Sequence, residues 1–174
     1  MTGALGTNST TDPRPLPRHY AGCVACGDGP GGLRLRFADP GPDDQGRPTV
    51  VGEFVAGSAH QGAPGLAHGG VLATAMDELF GALQHHLDET YVTGELGTRY
   101  RAPVPLGTPL HLAARIDRRD GRKLFVSGEG RLGGRVAVTA TALFLAVPRS
   151  HFVTHAPEGT DVRGERFAGP DAPA

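Results

Sequence analysis

The chain has 174 residues, a length that suits one domain with a sizeable core rather than two. Lysine and arginine total 17, and aspartate and glutamate total 18, so the net charge of −1 gives no general attraction to nucleic acid. Aromatic residues make up 6% and tryptophan is absent, which predicts an aliphatic core. No apolar stretch reaches the roughly 18 residues of a membrane-spanning helix. Residues 1–18 lack the apolar segment of a secretion signal, so we expect a cytoplasmic protein.

The composition divides the chain into three parts. Residues 1–18 are rich in Thr, Pro and Gly, which is typical of a disordered leader. The segment 149–174 ends in Gly-Pro-Asp-Ala-Pro-Ala, which predicts a loose tail. We therefore expect one folded domain over residues 19–148.

Two strands and one long helix are predicted in the first half of this domain. Residues 33–37 alternate apolar and polar, which indicates a half-buried strand, and residues 49–55 form a second strand after a turn-rich loop. From about residue 68 to 86 there is no proline, and apolar side chains recur at helical spacing. These side chains are Val71, Leu72, Ala75, Met76, Leu79 and Leu83.

Four further strands are predicted after the helix. They cover about residues 92–101, 108–118, 122–132 and 135–147, and the last is apolar on both faces, as in a central strand. Asp120-Gly121 and Gly133-Gly134 are typical of hairpin turns, so neighbouring strands should pair antiparallel. The order predicts an α+β fold in which a curved antiparallel sheet of about five to six strands wraps one long helix. This arrangement resembles the hotdog fold.

The segment His68-Gly69-Gly70 lies where the predicted helix begins, and it carries the most informative chemistry. A helix N-terminus presents unpaired N–H donors at the positive end of its dipole. Glycines there let a ligand approach the backbone closely. Both properties suit polarising a thioester carbonyl and stabilising the oxyanion that develops on it. Simple loop geometry is the alternative explanation of the glycines.

Asp77 is an acid in the middle of this otherwise apolar helix. It comes seven residues after Gly70, so two turns return it to the same face, about 10 Å further along the axis. That distance is too long for both residues to act on one carbonyl within a single chain. The spacing favours two antiparallel helices across a dimer axis, each donating Asp77 to the N-terminus of the other. A solvated helix face is the alternative, although Glu78 is the only further charge before Asp88.

Four segments, taken in order, carry a family resemblance. They are CVACGDGPGGLRLRF (23–37), HGGVLATAMDELFG (68–81), TRYRAPVPLGTPL (98–110) and GRKLFVSGEG (121–130). In this combination the chain resembles hotdog-fold acyl-CoA thioesterases of the PaaI-like branch, which includes long-chain acyl-CoA thioesterases. The resemblance covers about residues 20–147. It implies hydrolysis of an acyl-CoA to free acid and CoA, without a metal or an organic cofactor.

The resemblance also implies catalytic roles for particular residues. Asp77 would be the catalytic carboxylate, acting as a general base on water or as a direct nucleophile. Gly70, together with Gly69, would supply backbone N–H groups to the carbonyl. His68 would support the loop or contact the thioester. Thr93 would position the water. The alternative is that Thr93 is simply a β-branched residue of the kind that strands favour.

Substrate contacts are implied at three further positions. Gln61 is the nearest counterpart of the amide residue that many relatives place ahead of the motif, or it is a loop residue. Arg122 and Lys123 stand where relatives can meet the phosphates of CoA, although a solvated hairpin tip is the alternative. Leu79, Phe80 and Leu83, with residues of a partner chain, would line an acyl tunnel. The mainly aliphatic character of such a tunnel favours medium- or long-chain fatty acyl groups over aromatic ones. We expect a homodimer or a dimer of dimers.

Three other motifs are set aside. The glycine pattern over residues 128–133 matches a dinucleotide-binding expression, but it joins two strands and opens no helix. The four serines of the chain form no nucleophile elbow. Cys23 and Cys26 could be a redox pair, or half of a zinc site with His19 as a third ligand. Because there is no second cysteine pair, we favour two buried or half-exposed thiols near the substrate entrance.

Other functions remain open on the same scaffold. One is an acyl-ACP thioesterase or a dehydratase, although hotdog dehydratases use a histidine on a different hairpin. Another is a non-catalytic acyl-CoA-binding protein, although pure binding gains little from a carboxylate beside an apolar acyl channel.

Overall fold

A seven-stranded antiparallel sheet packs on one long helix in this computed structural model, which describes residues 12–148 and 150–160. The order of strands across the sheet is β1-β2-β3-β7-β8-β9-β6. Their bounds are Arg14–Pro15 (β1), Arg36–Asp39 (β2), Thr49–Val55 (β3), Thr90–Tyr100 (β6), Pro109–Asp120 (β7), Lys123–Leu132 (β8) and Arg135–Val147 (β9). A separate small hairpin joins Gln61–Ala63 (β4) to Leu66–Ala67 (β5). The predicted fold class, one central helix against an antiparallel sheet, is confirmed.

Helix α1 covers Gly69–Ala82 and runs on into a 3-10 turn over Leu83–His86. Together they occupy the range predicted for the long helix. One face of α1 is buried against the sheet through Leu72, Ala75, Met76, Leu79 and Phe80. Burying a leucine, methionine or phenylalanine side chain contributes about 1.5–3 kcal/mol, so this face holds helix and sheet together.

The hairpin turns form where the sequence predicts them. Asp120 pairs with Lys123 across the β7–β8 turn, and Gly121 there has a φ of 53°. Gly133 and Gly134 connect β8 to β9 with φ values of 49° and 85°. Backbone in this left-handed region favours glycine because a Cβ would clash. Strand β9 lies between β8 and β6, as its two apolar faces predict.

The first predicted strand is shorter and later than expected. Strand β2 begins at Arg36 because Arg34 adopts a φ of 54° and interrupts the extended backbone. The amides of Leu33 and Leu35 donate instead to the carbonyl oxygens of Val24 and Ala25, at 3.0 and 2.9 Å. This part of the chain therefore holds the cysteine loop rather than extending the sheet.

The expected leader and tail contain ordered elements. Strand β1 pairs with β2, and the buried Leu16 donates its amide to the carbonyl of Phe37, so residues 14–16 belong to the sheet rather than to a disordered leader. The polypeptide also forms a short helix, α2, over Ser150–His155. Residues 1–11 and 161–174 of the predicted leader and tail lie outside the described residues. Within residues 12–148 and 150–160, no helix has the length and apolar character needed to cross a membrane.

Helix α1 and the sheet come into close contact at Gly128. It lies on β8, and a Cβ built there would come within 2.8 Å of both the Phe80 ring and the carbonyl oxygen of Ala113. The carbonyl belongs to the neighbouring strand and cannot move freely. We expect Gly128→Ala to lower the free energy of unfolding by about 1–3 kcal/mol in urea denaturation. Gly57→Ala is the control, because nothing lies within 4 Å of its Cβ position; equal stability of both variants would contradict this packing.

Candidate active site

The N-terminus of α1 is closed by His68. Its ring Nδ1 accepts a hydrogen bond from the amide of Gly70 at 2.9 Å, so the imidazole acts as the N-cap of the helix. On the other side, the hydroxyl of Tyr100 on β6 donates to the carbonyl oxygen of Gly69 at 2.7 Å. The loop before the helix is braced as well, since the His68 amide donates to the carbonyl of His60 at 2.8 Å. These contacts fix the direction in which the helix begins.

The two glycines of the motif differ in their hydrogen bonding. Because the Gly70 N–H already donates to His68, it is engaged within the chain. Gly69 is the first residue of α1, and helices leave their first N–H groups without an intrahelical acceptor. Among the described residues no acceptor is seen for the Gly69 N–H. Of these two glycines, the one whose amide can bind a ligand in this conformation is therefore Gly69.

Asp77 lies on the half-exposed face of α1, where β6 passes beside the helix. The hydroxyl of Thr93 on β6 donates to Asp77 Oδ1 at 2.9 Å. Burial raises the pKa of the Asp77 carboxyl above its usual range, although the hydrogen bond from Thr93 acts in the opposite direction. A carboxylate with a raised pKa accepts a proton more readily, which suits a general base.

A cavity of about 230 Å³ opens beside this pair. Both Asp77 and Thr93 line it, and the other lining residues are His19, Glu78, Gly81, Gln84, Thr90, Tyr91, Val92 and Phe152. The residues expected to form an acyl tunnel do not line this cavity. Leu79, Phe80 and Leu83 are fully buried in the core because they lie on the opposite face of the helix, against the sheet.

The half-exposed face of α1 consists mainly of small side chains. Gly70, Ala73, Thr74, Asp77 and Gly81 follow one another at helical spacing along it. Gly70 and Asp77 are separated by about 10 Å along the axis, which is two turns. A single chain therefore cannot present the helix N-terminus and Asp77 to the same atom.

The three predicted substrate-binding residues lie outside the cavity. Gln61 is exposed on β4, and its side-chain oxygen accepts from the Gly65 amide at 3.0 Å, which makes it a brace of the small hairpin. Arg122 and Lys123 are exposed at the tip of the β7–β8 hairpin. Lys123 pairs with Leu145, which in turn pairs with Val92 of the cavity wall. Two strand spacings of about 4.8 Å place the hairpin tip roughly 10 Å from that wall.

His19 and Glu78 are cavity residues to which the sequence assigned no part in the candidate active site. His19 Nδ1 lies 2.8 Å from Glu78 Oε1, and the carboxylate side chain is 12% exposed. Burial acts to raise the pKa of Glu78, but hydrogen bonds from His19 and the two cysteines outweigh it, so the pKa is lowered. The only sign of this pair in the sequence is that Glu78 is a second acid on an apolar helix. Its partner His19 lies 59 positions earlier (78 − 19), so no local pattern connects the two residues.

The fold and the motif positions agree with a known family. Residues 64–143 match the family described as the Thioesterase superfamily. The matched region covers slightly less than half of the chain. Within it lie His68, Gly69, Gly70, Asp77 and Thr93.

The chain is also similar to individual proteins and solved structures. The chain is 34% identical over 94 residues to acyl-coenzyme A thioesterase THEM4 of Xenopus laevis, covering 53% of this chain and 42% of that protein. A crystal structure of a thioesterase superfamily protein superposes with a TM-score of 0.56 at 32% identity, over 64% of this chain and 53% of the other. A hypothetical thioesterase of Streptococcus pneumoniae, solved with coenzyme A, has a TM-score of 0.55 at 21% identity, over 57% and 81% of the chains, and shows the fold alone. The chain thus spans less than half the length of the THEM4 relative.

The role of His68 as the N-cap of α1 can be tested through stability. His68→Ala removes the acceptor of the Gly70 amide, and we expect the free energy of unfolding to fall by about 0.5–2 kcal/mol in urea denaturation. His68→Asn should recover most of this loss, since asparagine is a good N-cap. His111→Ala, which removes an exposed histidine from β7, is the control. If His68→Ala were as stable as His111→Ala, the capping role would be wrong.

Proposed function

We propose that the protein is an acyl-CoA thioesterase, which hydrolyses the thioester of an acyl-CoA to the free acid and CoA. The observation that carries this proposal is the Asp77 carboxyl, held by the Thr93 hydroxyl at 2.9 Å on the wall of a cavity. A partly buried carboxylate of raised pKa, with one oxygen fixed by a donor, is an arrangement suited to accepting a proton from water. The superfamily domain and the relatives named acyl-coenzyme A thioesterases support the same reaction.

The chemistry assigns each oxygen of Asp77 a separate role. Oδ1 accepts from Thr93, which leaves Oδ2 for the attacking water. In the general-base route, water attacks the thioester carbonyl while Oδ2 takes its proton. The resulting oxyanion is stabilised by a backbone N–H, and collapse breaks the C–S bond and releases the CoA thiolate, which then takes up a proton. In the nucleophilic route, Oδ2 attacks the carbonyl, CoA leaves as the thiolate, and water hydrolyses the mixed anhydride.

Gly69 is the donor that we assign to the oxyanion. Its amide has no acceptor in the described part of the chain, whereas the Gly70 amide is engaged by His68. A glycine amide at a helix N-terminus combines an unpaired N–H with the positive end of the dipole. Gly70 contributes by having no side chain, so a thioester can approach closely.

We further propose that two subunits complete each site. Because about 10 Å separates the helix N-terminus from Asp77, the amide donor of one chain would act with Asp77 of another. The small side chains along the half-exposed face of α1 would let a second helix approach. Strand β6 has eleven residues and, among the described strands, lies at the edge of the sheet with β9 as its one neighbour. Long edge strands are usually covered, so pairing of two β6 strands would build a homodimer, which could associate further into a dimer of dimers.

The substrate class follows from chemistry near the cavity. Arg122 and Lys123 are exposed at the hairpin tip, and no ion pair with either is seen within residues 12–148 and 150–160. Two such cations would suit the phosphates of CoA. Aliphatic and aromatic groups of the cavity wall, Val92 and Phe152 among them, suit a medium- or long-chain fatty acyl group. A cytoplasmic location remains a prediction from the sequence.

Replacing Asp77 with asparagine tests the reaction directly. We expect Asp77→Asn to lower the rate of thiol release from a panel of acyl-CoA substrates by about 100- to 10,000-fold, because the amide cannot take the proton. Thermal unfolding should show that the variant remains folded. Asp88→Asn, an exposed aspartate beyond the helix, is the control and should keep the wild-type rate.

The same assay distinguishes the alternative functions. Near-normal thiol release by Asp77→Asn would overturn the assignment of the catalytic carboxylate. A wild-type protein that binds acyl-CoA tightly but releases no thiol would be a binding protein. Hydration of an enoyl substrate without thiol release would point to a dehydratase.

A further inference from the structure

Two thiols, an imidazole and a carboxylate converge beside the candidate active site. They belong to His19, Cys23, Cys26 and Glu78, and one potential ligand atom from each lies within 4.8 Å of the others. His19 Nδ1 lies 2.8 Å from Glu78 Oε1 and 3.3 Å from Cys26 Sγ. Cys23 Sγ lies 3.5 Å from Glu78 Oε2. The group joins the N-terminal segment to the middle of α1.

We propose that these four side chains bind one structural zinc ion. Zinc in a tetrahedral site has Zn–S distances of about 2.3 Å and Zn–N and Zn–O distances of about 2.0–2.2 Å, so neighbouring ligand atoms should be roughly 3.3–3.8 Å apart. The three recorded contacts run from 2.8 to 3.5 Å. All pairs of ligand atoms lie within 4.8 Å of each other, so shifts of up to about 1 Å would bring the ligands into tetrahedral geometry.

The cysteine loop is shaped to hold two sulfur ligands. The Ala25 amide donates to Cys23 Sγ at 3.3 Å, and the Gly27 amide donates to the Cys23 carbonyl at 2.9 Å. A Cβ at Gly27 would lie 2.3 and 2.4 Å from the carbonyl oxygens of Ala21 and Cys23, so the turn can close only with glycine. Amide donors to sulfur stabilise a thiolate and orient it, as supporting contacts do around metal ligands.

The donor set selects zinc over other occupants. Two thiolates with one imidazole suit a borderline-soft ion, whereas Mg²⁺ and Ca²⁺ prefer oxygen ligands. Both cysteines are free thiols, and Cys26 is buried, which disfavours a role as an exposed redox pair. Without a metal, the negative Glu78 beside the sulfurs opposes thiolate formation. Zinc binding would release the two thiol protons to solvent, so the two charges of the ion balance the two thiolates and the net charge of the site stays the same.

A closed set of four protein ligands is typical of structural zinc rather than of zinc that activates water. The position of the proposed zinc ion also affects the cavity. His19 and Glu78 line the same cavity as Asp77, and Glu78 follows Asp77 on the helix. Zinc would therefore fix the N-terminal segment as one wall of the cavity. This inference does not depend on the proposed reaction.

Metal analysis of the full chain, expressed without a histidine tag, tests the proposal. Mass spectrometry of the purified protein should find about one zinc per chain, and a chelator should lower the melting temperature reversibly. Replacement of zinc by Co²⁺ should produce the sulfur-to-cobalt charge-transfer absorption expected of thiolate ligands. Less than about a tenth of a metal ion per chain, with no effect of added zinc on melting, would overturn the proposal.

Variants at the ligands locate the ion. Cys23→Ser and Cys26→Ser should lose the charge-transfer band, and His19→Ala and Glu78→Gln should bind zinc at least about tenfold more weakly. His111→Ala and Glu53→Gln are matched controls, because they form a His–Glu pair on the surface at 3.5 Å without thiols. Glu78→Gln is nearly isosteric, so its metal content remains informative if a cysteine variant fails to fold. Zinc retained equally by all four ligand variants would place the ion elsewhere and contradict the assignment.

Discussion

The apolar face of α1 can be buried only against the sheet, and this constraint orients every other side chain of the helix. Leu72, Met76, Leu79 and Phe80 occupy that face, so the opposite face remains half-exposed. The half-exposed face carries Asp77 and a row of small residues. The chemical groups of the candidate active site thus point away from the core because the core fixes the rotation of the helix. The helix and the sheet are in close contact at Gly128, where the Phe80 ring leaves no space for a Cβ, so the helix cannot easily rotate.

The same constraint separates two neighbouring acids. Successive residues of an α-helix project about 100° apart, so Asp77 and Glu78 face different surroundings. Asp77 turns toward β6, where Thr93 holds it, while Glu78 turns toward the N-terminal segment and His19. One pair of adjacent carboxylates therefore belongs to two sites, a proposed hydrolytic one and a proposed zinc site.

Local sequence patterns predicted the elements whose cause is local. The helix, the hairpins at Gly121 and Gly133-Gly134, and the position of β9 between two other strands follow from periodicity and turn chemistry. The break at Arg34 was missed because nothing in the alternation of residues 33–37 marks a left-handed residue. Strand β1 was missed because a two-residue pairing depends on β2 rather than on its own composition.

Predictions about the site divide in the same way. The family resemblance implied that Thr93 acts beside Asp77, and the structure brings the two side chains into contact. The engagement of the Gly70 amide by His68 depends on a side-chain rotation that spacing does not reveal. The sequence predicts that Leu79, Phe80 and Leu83 line a tunnel, whereas the structure buries them against the sheet. Apolar periodicity shows that one face of the helix is apolar, but it does not distinguish a face that lines a tunnel from a face that packs in the core. Glu78 as a partner of the cysteines is a contact between distant parts of the chain, which one sequence cannot show.

The central claim, an active site shared between two subunits, is tested most directly with mixed dimers of Asp77→Asn and Gly69→Pro. Proline is well tolerated at the first position of a helix, which Gly69 occupies, and it requires an extended residue before it. His68 is extended, with φ −67° and ψ 135°. Gly69→Pro should therefore mainly remove the amide donor. Gly69→Ala is its control, since it keeps the N–H and places the same Cβ about 3.3 Å from the Tyr100 ring. Each parent should be nearly inactive, whereas purified mixed dimers should recover about half the wild-type thiol-release rate, because one of two sites is intact. Mixed dimers as inactive as both parents would contradict a shared site.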